Sequence, residues 1–127
     1  MKHTLRQNEH TIYVTFEEGI EPEESTELVY QVISILKKTP NRMNFVMIVQ
    51  DAYLTNMQSI YTVTRLMKPF IKRFNYGYVI GATGIQKTFA KTFFSLISLA
   101  GKKRVFFFET LEEANAHIAD AWKRFKN

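Results

Sequence analysis

Residues 45–49, Phe45-Val46-Met47-Ile48-Val49, form an unbroken apolar run, and such a run leaves a chain few ways to fold. It is too short for a helix, it is rich in β-branched residues, and Gln50-Asp51 end it. A strand that is apolar at every position must be covered on both faces, the condition of an inner strand in a parallel sheet. Tyr76-Gly77-Tyr78-Val79-Ile80 and Arg104-Val105-Phe106-Phe107-Phe108 read as two further strands of the same sheet. Residues 11–16 differ, because Ile12, Val14 and Phe16 alternate with polar neighbours, the mark of a strand buried on one side. Residues 2–6 and the turn Gln7-Asn8-Glu9 predict a hairpin partner for it.

Between these strands the apolar period changes to that of a helix. Pro22 suits a first helical turn, Glu23, Glu24 and Glu27 favour the positive end of the helix dipole, and Pro40 stops the helix after Lys37-Lys38. Leu28, Val32, Ile35 and Leu36 make its apolar stripe. Thr55 with Gln58 has the spacing of a capping box and predicts a second helix carrying Met57, Ile60, Val63, Met67, Phe70, Ile71 and Phe74. Pro69 lies inside that stripe, so a kink or break is expected there. Gly81-Ala82-Thr83-Gly84 reads as a tight turn before a third helix, which Gly101 would cap. Thr110-Leu111-Glu112-Glu113 is another capping box, opening a fourth helix with Leu111, Ala114, Ile118, Ala121, Trp122 and Phe125 on one face. The element order predicts an α/β fold: a mixed, mostly parallel sheet of about five strands, with an N-terminal hairpin and four helices. Residues 1–127 read as one domain.

Composition narrows the function classes. The 127 residues include no cysteine, which excludes disulfides, thiolate zinc sites and cysteine nucleophiles. The N-terminus lacks an apolar stretch of signal length and no run is long enough to span a bilayer, so a cytoplasmic protein is expected. The net charge of +5 is uneven: residues 1–64 carry five Lys/Arg against eight Asp/Glu, and residues 65–127 carry twelve against four. Lys68, Lys72, Arg73, Lys87 and Lys91 could make a basic face, but no stacking platform or groove-reading motif accompanies them, so nucleic acid is the less favoured partner.

In the C-terminal half, a strand ending in glycine (Tyr78-Val79-Ile80-Gly81) leads to a helix. The turn Gly101-Lys102-Lys103-Arg104 and then Val105-Phe106-Phe107-Phe108-Glu109-Thr110-Leu111-Glu112-Glu113-Ala114 follow. This stretch and the element order resemble the STAS domain, the fold of bacterial anti-sigma-factor antagonists, and in particular its small stand-alone STAS/SEC14 relatives. The resemblance covers roughly residues 10–125. It implies a STAS (SpoIIAA-like) architecture and a non-enzymatic regulatory or interaction module in bacterial signalling, binding a protein partner or a small anionic ligand. Its SEC14 side implies an alternative, a binder of lipid or another apolar small molecule. In the antagonists a serine in an Asp-Ser-Ser-Gly-like turn is phosphorylated. Here the matching turn is Asp51-Ala52-Tyr53-Leu54-Thr55, in which only Asp51 agrees, with Thr55 or Ser59 as stand-ins for the phospho-acceptor.

Open α/β sheets bind ligands outside the carboxyl ends of their strands. That rule makes Asp51, Tyr53, Thr55, Gly81, Thr83, Gly84 and Lys87 the candidate ligand-binding residues, with free amides of the glycine turn and Lys87 facing an anion. The turn is neither a P-loop nor a dinucleotide fingerprint. His3, His10 and His117 lie on different elements and read as surface residues without metal spacing. Asp51 is the only acid between Glu27 and Glu109, and no serine sits in a nucleophile elbow, so no catalytic residue, metal or cofactor is assigned. Phe94 and Tyr61 fall off the main apolar stripes and are candidates for a homodimer contact.

Overall fold

The computed structural model describes residues 3–54, 58–96 and 104–126. The elements are β1 (Thr4–Gln7), β2 (Thr11–Ile20), α1 (Pro22–Lys38), β3 (Met43–Leu54), α2 (Gln58–Met67), a 3-10 helix (Lys68–Arg73), β4 (Phe74–Ile80), α3 (Gly84–Leu96), β5 (Val105–Phe108) and α4 (Leu111–Lys126). Thr55, Met57, Gly101, Lys102 and Lys103 lie outside the described residues.

The five strands pair in chain order, β1-β2-β3-β4-β5. The β1–β2 hairpin is antiparallel and every later pair is parallel, so the central and closing strands run the same way. Each strand–helix–strand step moves in one direction across the sheet, and crossovers of one hand then put their helices on one face. Alternate strand residues divide accordingly. Ile12, Val14, Val49 and Val79 pack with Leu28, Val32, Leu36, Ile60, Met67 and Ala90 of α1–α3. Tyr13, Val46, Tyr78 and Ile80 point the other way, onto Ala114 and Ile118 of α4.

Two hydroxyls fasten α4 to that second face. Tyr13 Oη–H donates to Asn115 Oδ1 at 3.0 Å, and the Tyr78 hydroxyl lies 2.8 Å from His117 Nδ1. The His117 ring packs 4.2 Å from that of Phe106. His117 is therefore half-buried among aromatics. His3 is likewise not a surface residue: it is 2% exposed. The described part of β1 begins opposite Thr15, and just beyond it the Glu17 N–H donates to His3 Nδ1 at 3.0 Å. His3 Nε2 faces a Glu24 carboxylate oxygen at 3.4 Å.

The Pro69 break occurs as expected. Helix α2 stops at Met67, and Lys68–Arg73 continue as 3-10 turns. Phe74, expected on the helix stripe, is instead the first residue of β4, 2% exposed. The capping box at α4 also forms: Thr110 N–H donates to Glu113 Oε1 at 3.2 Å, and Glu113 N–H to Thr110 Oγ1 at 3.3 Å.

Several basic side chains are committed to the fold. Arg73 Nη2 donates to Thr39 O and Asn41 O, and Arg42 Nε donates to Lys72 O. Strand β4 carries an extra residue relative to β3, since Met43 faces Phe74 while Phe45 faces Gly77. The guanidinium of Arg104 closes that bulge by donating to Phe74 O and Asn75 O. Burial, with Arg42 nearby, lowers the Arg104 pKa from its ordinary value.

Candidate functional site

Strands β2 and β3 are longer than their polar ends predict. The sequence reads strands over residues 11–16 and 45–49, the second ended by Gln50-Asp51, yet pairing continues through Glu17 with Asp51 and Gly19 with Tyr53 to Ile20 with Leu54. Strand β4 stops opposite Ile48, so the last residues of β3 extend past it, with β2 as their strand partner among the described residues. The register slips on the way. Thr15 faces Ile48 but Glu17 faces Asp51, so β3 holds one extra residue and bulges.

Gln86 closes that bulge. Its Nε2 donates to Val49 O at 2.8 Å and to Ala52 O at 2.5 Å, standing in for the missing strand. Its Oε1 accepts from Thr83 N–H at 3.1 Å, while Gln86 N–H donates to Thr83 O at 2.9 Å. This is the return half of a capping box at the start of α3. Sequence reasoning missed Gln86, although Thr83-Gly84-Ile85-Gln86 has the same spacing as the boxes found elsewhere.

The glycine turn is thus largely engaged within the fold. Gly81 N–H donates to Phe108 O at 2.9 Å, and the Thr83 amide serves Gln86. Gly81 and Gly84 have φ of 76° and 45°, a left-handed backbone that explains glycine at both places. Lys87 Nζ lies 5.8 Å from the Phe107 ring centroid, with Lys91 Nζ at 5.9 Å, so both charges are directed to the β5 side of the sheet. The backbones of Asp51 and Tyr53 reach the carboxyl edge within β3, beside Ala52, where Gly81, Thr83 and Gly84 also lie. Thr55 is outside the described residues. Ser59, the other phospho-acceptor candidate, is 2% exposed on the inner side of α2. Among the described residues, no three His, Cys, Asp or Glu come together as a metal site, and no helix is long and apolar enough to cross a membrane.

Beneath α1, α2 and α3 lies a cavity of about 140 Å³, bounded below by β2 and β3. Val32, Phe45, Met47, Val63, Met67 and Phe89 supply much of its wall. Ile85 lines it too and is 71% exposed, so the cavity reaches solvent at the carboxyl edge. Its lining residues include the polar Ser25, Ser59 and Gln86. Ser25 Oγ–H donates to Glu21 O at 3.1 Å, and the Gln86 amide is engaged as described. Ser59 Oγ is buried, with no hydrogen-bond partner among the described residues.

The geometry therefore defines an α/β domain whose parallel strands, covered by three helices on one face and one on the other, form the STAS (SpoIIAA-like) fold. The comparison with solved structures agrees. The chain is similar to the anti-sigma factor antagonist SpoIIAA in its unphosphorylated form, with a TM-score of 0.63 over 93% of this chain and 96% of that one, at 7% identity. No protein-family profile matches the chain, and no curated protein sequence matches it.

Proposed function

We propose that this chain is a non-enzymatic, cytoplasmic signalling module of STAS type that binds a protein partner at the carboxyl edge of its parallel strands. The observation that carries this reading is the match of fold to an anti-sigma factor antagonist along nearly the whole of both chains. The edge also presents Ile85, 71% exposed, an apolar side chain suited to a contact. The engagement of the Gly81 and Thr83 amides weighs toward a protein partner over a small anion. Size-exclusion of native extract with cross-linking tests the reading. The wild-type chain is expected in a complex that Ile85→Asp dissolves without moving the melting curve. A complex that survives the substitution places the interface elsewhere, and a wild-type chain running as a free monomer overturns the proposal.

One observation favours a second reading, an apolar ligand: the cavity under α1–α3. At about 140 Å³ it compares with an engineered cavity of roughly 150 Å³ that takes benzene. That size suits a small molecule rather than an enclosed long-chain lipid. Displacement of an environment-sensitive dye by apolar compounds is expected, and flat titrations remove this reading.

A further inference from the structure

We infer that the outer edge of β5 takes an extended, acidic segment of a partner protein as an added strand, with Lys87 and Lys91 drawing its carboxylates. This surface is separate from the contact proposed at the carboxyl ends of the strands. β5 is the last strand of the sheet. Arg104 O accepts from Gly77 N–H at 2.8 Å, and Phe108 O from Gly81 N–H at 2.9 Å. Backbone groups alternate sides along a strand. Arg104, Phe106 and Phe108 therefore turn theirs toward β4, and Val105 and Phe107 turn theirs away. Among the described residues, nothing pairs with the N–H and C=O groups of those two. All of β5 is half-buried, so solvent reaches this edge.

The two edges of the sheet differ in kind. Edges are commonly guarded by charge, by proline or by brevity. At the far edge β1 is Thr4-Leu5-Arg6-Gln7, mostly exposed, with the Arg6 guanidinium 4.3 Å from the Tyr13 ring centroid. β5 is as short, but every one of its residues is apolar. The charges beside it belong to α3: Lys87 and Lys91 are exposed, and both ammonium groups lie within 6 Å of the Phe107 ring centroid, at 5.8 and 5.9 Å. Glu109 and Glu112, the acids that follow in the chain, lie beyond the carboxyl end of the strand.

Charge then selects the occupant. Successive side chains of an added strand point to opposite faces. Those on the α3 face would lie beside Phe107 and meet the two lysines. Those on the α4 face would lie beside Phe106 and Phe108, whose rings stack at 6.5 Å. A segment alternating acidic and apolar residues matches both faces. A second copy of this chain, paired edge to edge, would set Lys87 and Lys91 against their own counterparts, a like-charge contact that disfavours self-pairing.

The test titrates three capped hexapeptides into the full chain: one alternating aspartate with valine, its lysine–valine counterpart, and the acidic peptide N-methylated throughout. Binding is read by amide NMR and hydrogen exchange. The acidic peptide is expected to shift the Val105 and Phe107 amides and to slow their exchange, and the lysine peptide to bind about tenfold more weakly or worse. Lys87→Glu combined with Lys91→Glu is expected to reverse that preference and leave the melting curve in place, because both side chains are exposed. If the acidic peptide binds but exchange at Val105 and Phe107 is unchanged, or the N-methylated copy binds as well, the added strand is overturned. No shift at millimolar acidic peptide overturns the proposal altogether. Protection of those two amides in the peptide-free chain that dilution relieves would make a second copy the occupant, and overturns it too.

Discussion

Gln86 holds the α3 start and the β3 bulge together with one side chain. Gln86→Ala strips the donors from Val49 O and Ala52 O and the acceptor from Thr83 N–H. Leaving such groups unpaired costs about 1–3 kcal/mol each when buried, and partial rehydration at this edge should hold the total near 2–3 kcal/mol in a urea-unfolding measurement. Gln86→Glu should do no better at neutral pH, since a carboxylate accepts but cannot donate to the two carbonyls. A loss below about 0.5 kcal/mol would show that the side chain is not structural. Tyr78 supplies a pH prediction. Burial raises its pKa above the ordinary 10.0, and neighbouring Tyr76 adds to the rise. Below pH 10 the folded and unfolded states both keep the proton and stability is unaffected. Above it the unfolded chain releases the proton while the folded chain keeps it, so stability falls as pH climbs. Phenolate absorbance should therefore show Tyr78 silent until the protein unfolds, and a reversible titration in the native state would contradict this.

At the scale of elements, Thr110 and Glu113 cap α4 reciprocally, and α4 is the helix that covers the second face of the sheet. Thr110→Ala is expected to cost about 1 kcal/mol in urea unfolding, and an unchanged midpoint would show that the cap is not what starts the helix. Most element types were legible in the residues. The apolar runs became parallel strands, Pro69 ended α2, and the Thr110 box formed where its spacing placed it. Phe74 was not legible, because Phe70, Ile71 and Phe74 continue a helical spacing after the proline has removed the helix that would use it. The lengths of β2 and β3 were hidden for a related reason. Polar residues mark strand ends only where a neighbour continues beside them, and here the strands overrun the described part of β1 and β4. The roles of His3, Gln86 and Arg104 as substitutes for absent or displaced backbone pairing depend on register, which alternation of apolar residues does not specify.

For the whole molecule, the strand order decides what kind of site exists. The rule that placed a ligand on the carboxyl rim applies to sheets whose strand order reverses, opening a crevice between loops that leave in opposite directions. Here the parallel strands follow one another without reversal, so α1, α2 and α3 share a face and the space appears beneath them. The rim residues Asp51, Gly81, Thr83 and Gly84 were legible from the strand ends, while a cavity made by three helix stripes that do not quite meet was not. Ser59→Ala tests the buried hydroxyl beside that cavity. Removing a hydroxyl that has no partner among the described residues is expected to stabilise the chain by about 1 kcal/mol, a rise of roughly 3–5 °C in melting temperature. A fall of that size would mean the hydroxyl has a partner. The same strand order bears on how the chain folds in time. Each strand pairs with the one just before it in the chain, so every pairing closes only a hairpin or one crossover loop, and the entropy lost at each closure stays small. The sheet can grow from any adjacent pair without waiting for distant ends to meet. Refolding is therefore expected to be quicker than for an α/β sheet of the same length whose strands pair out of chain order.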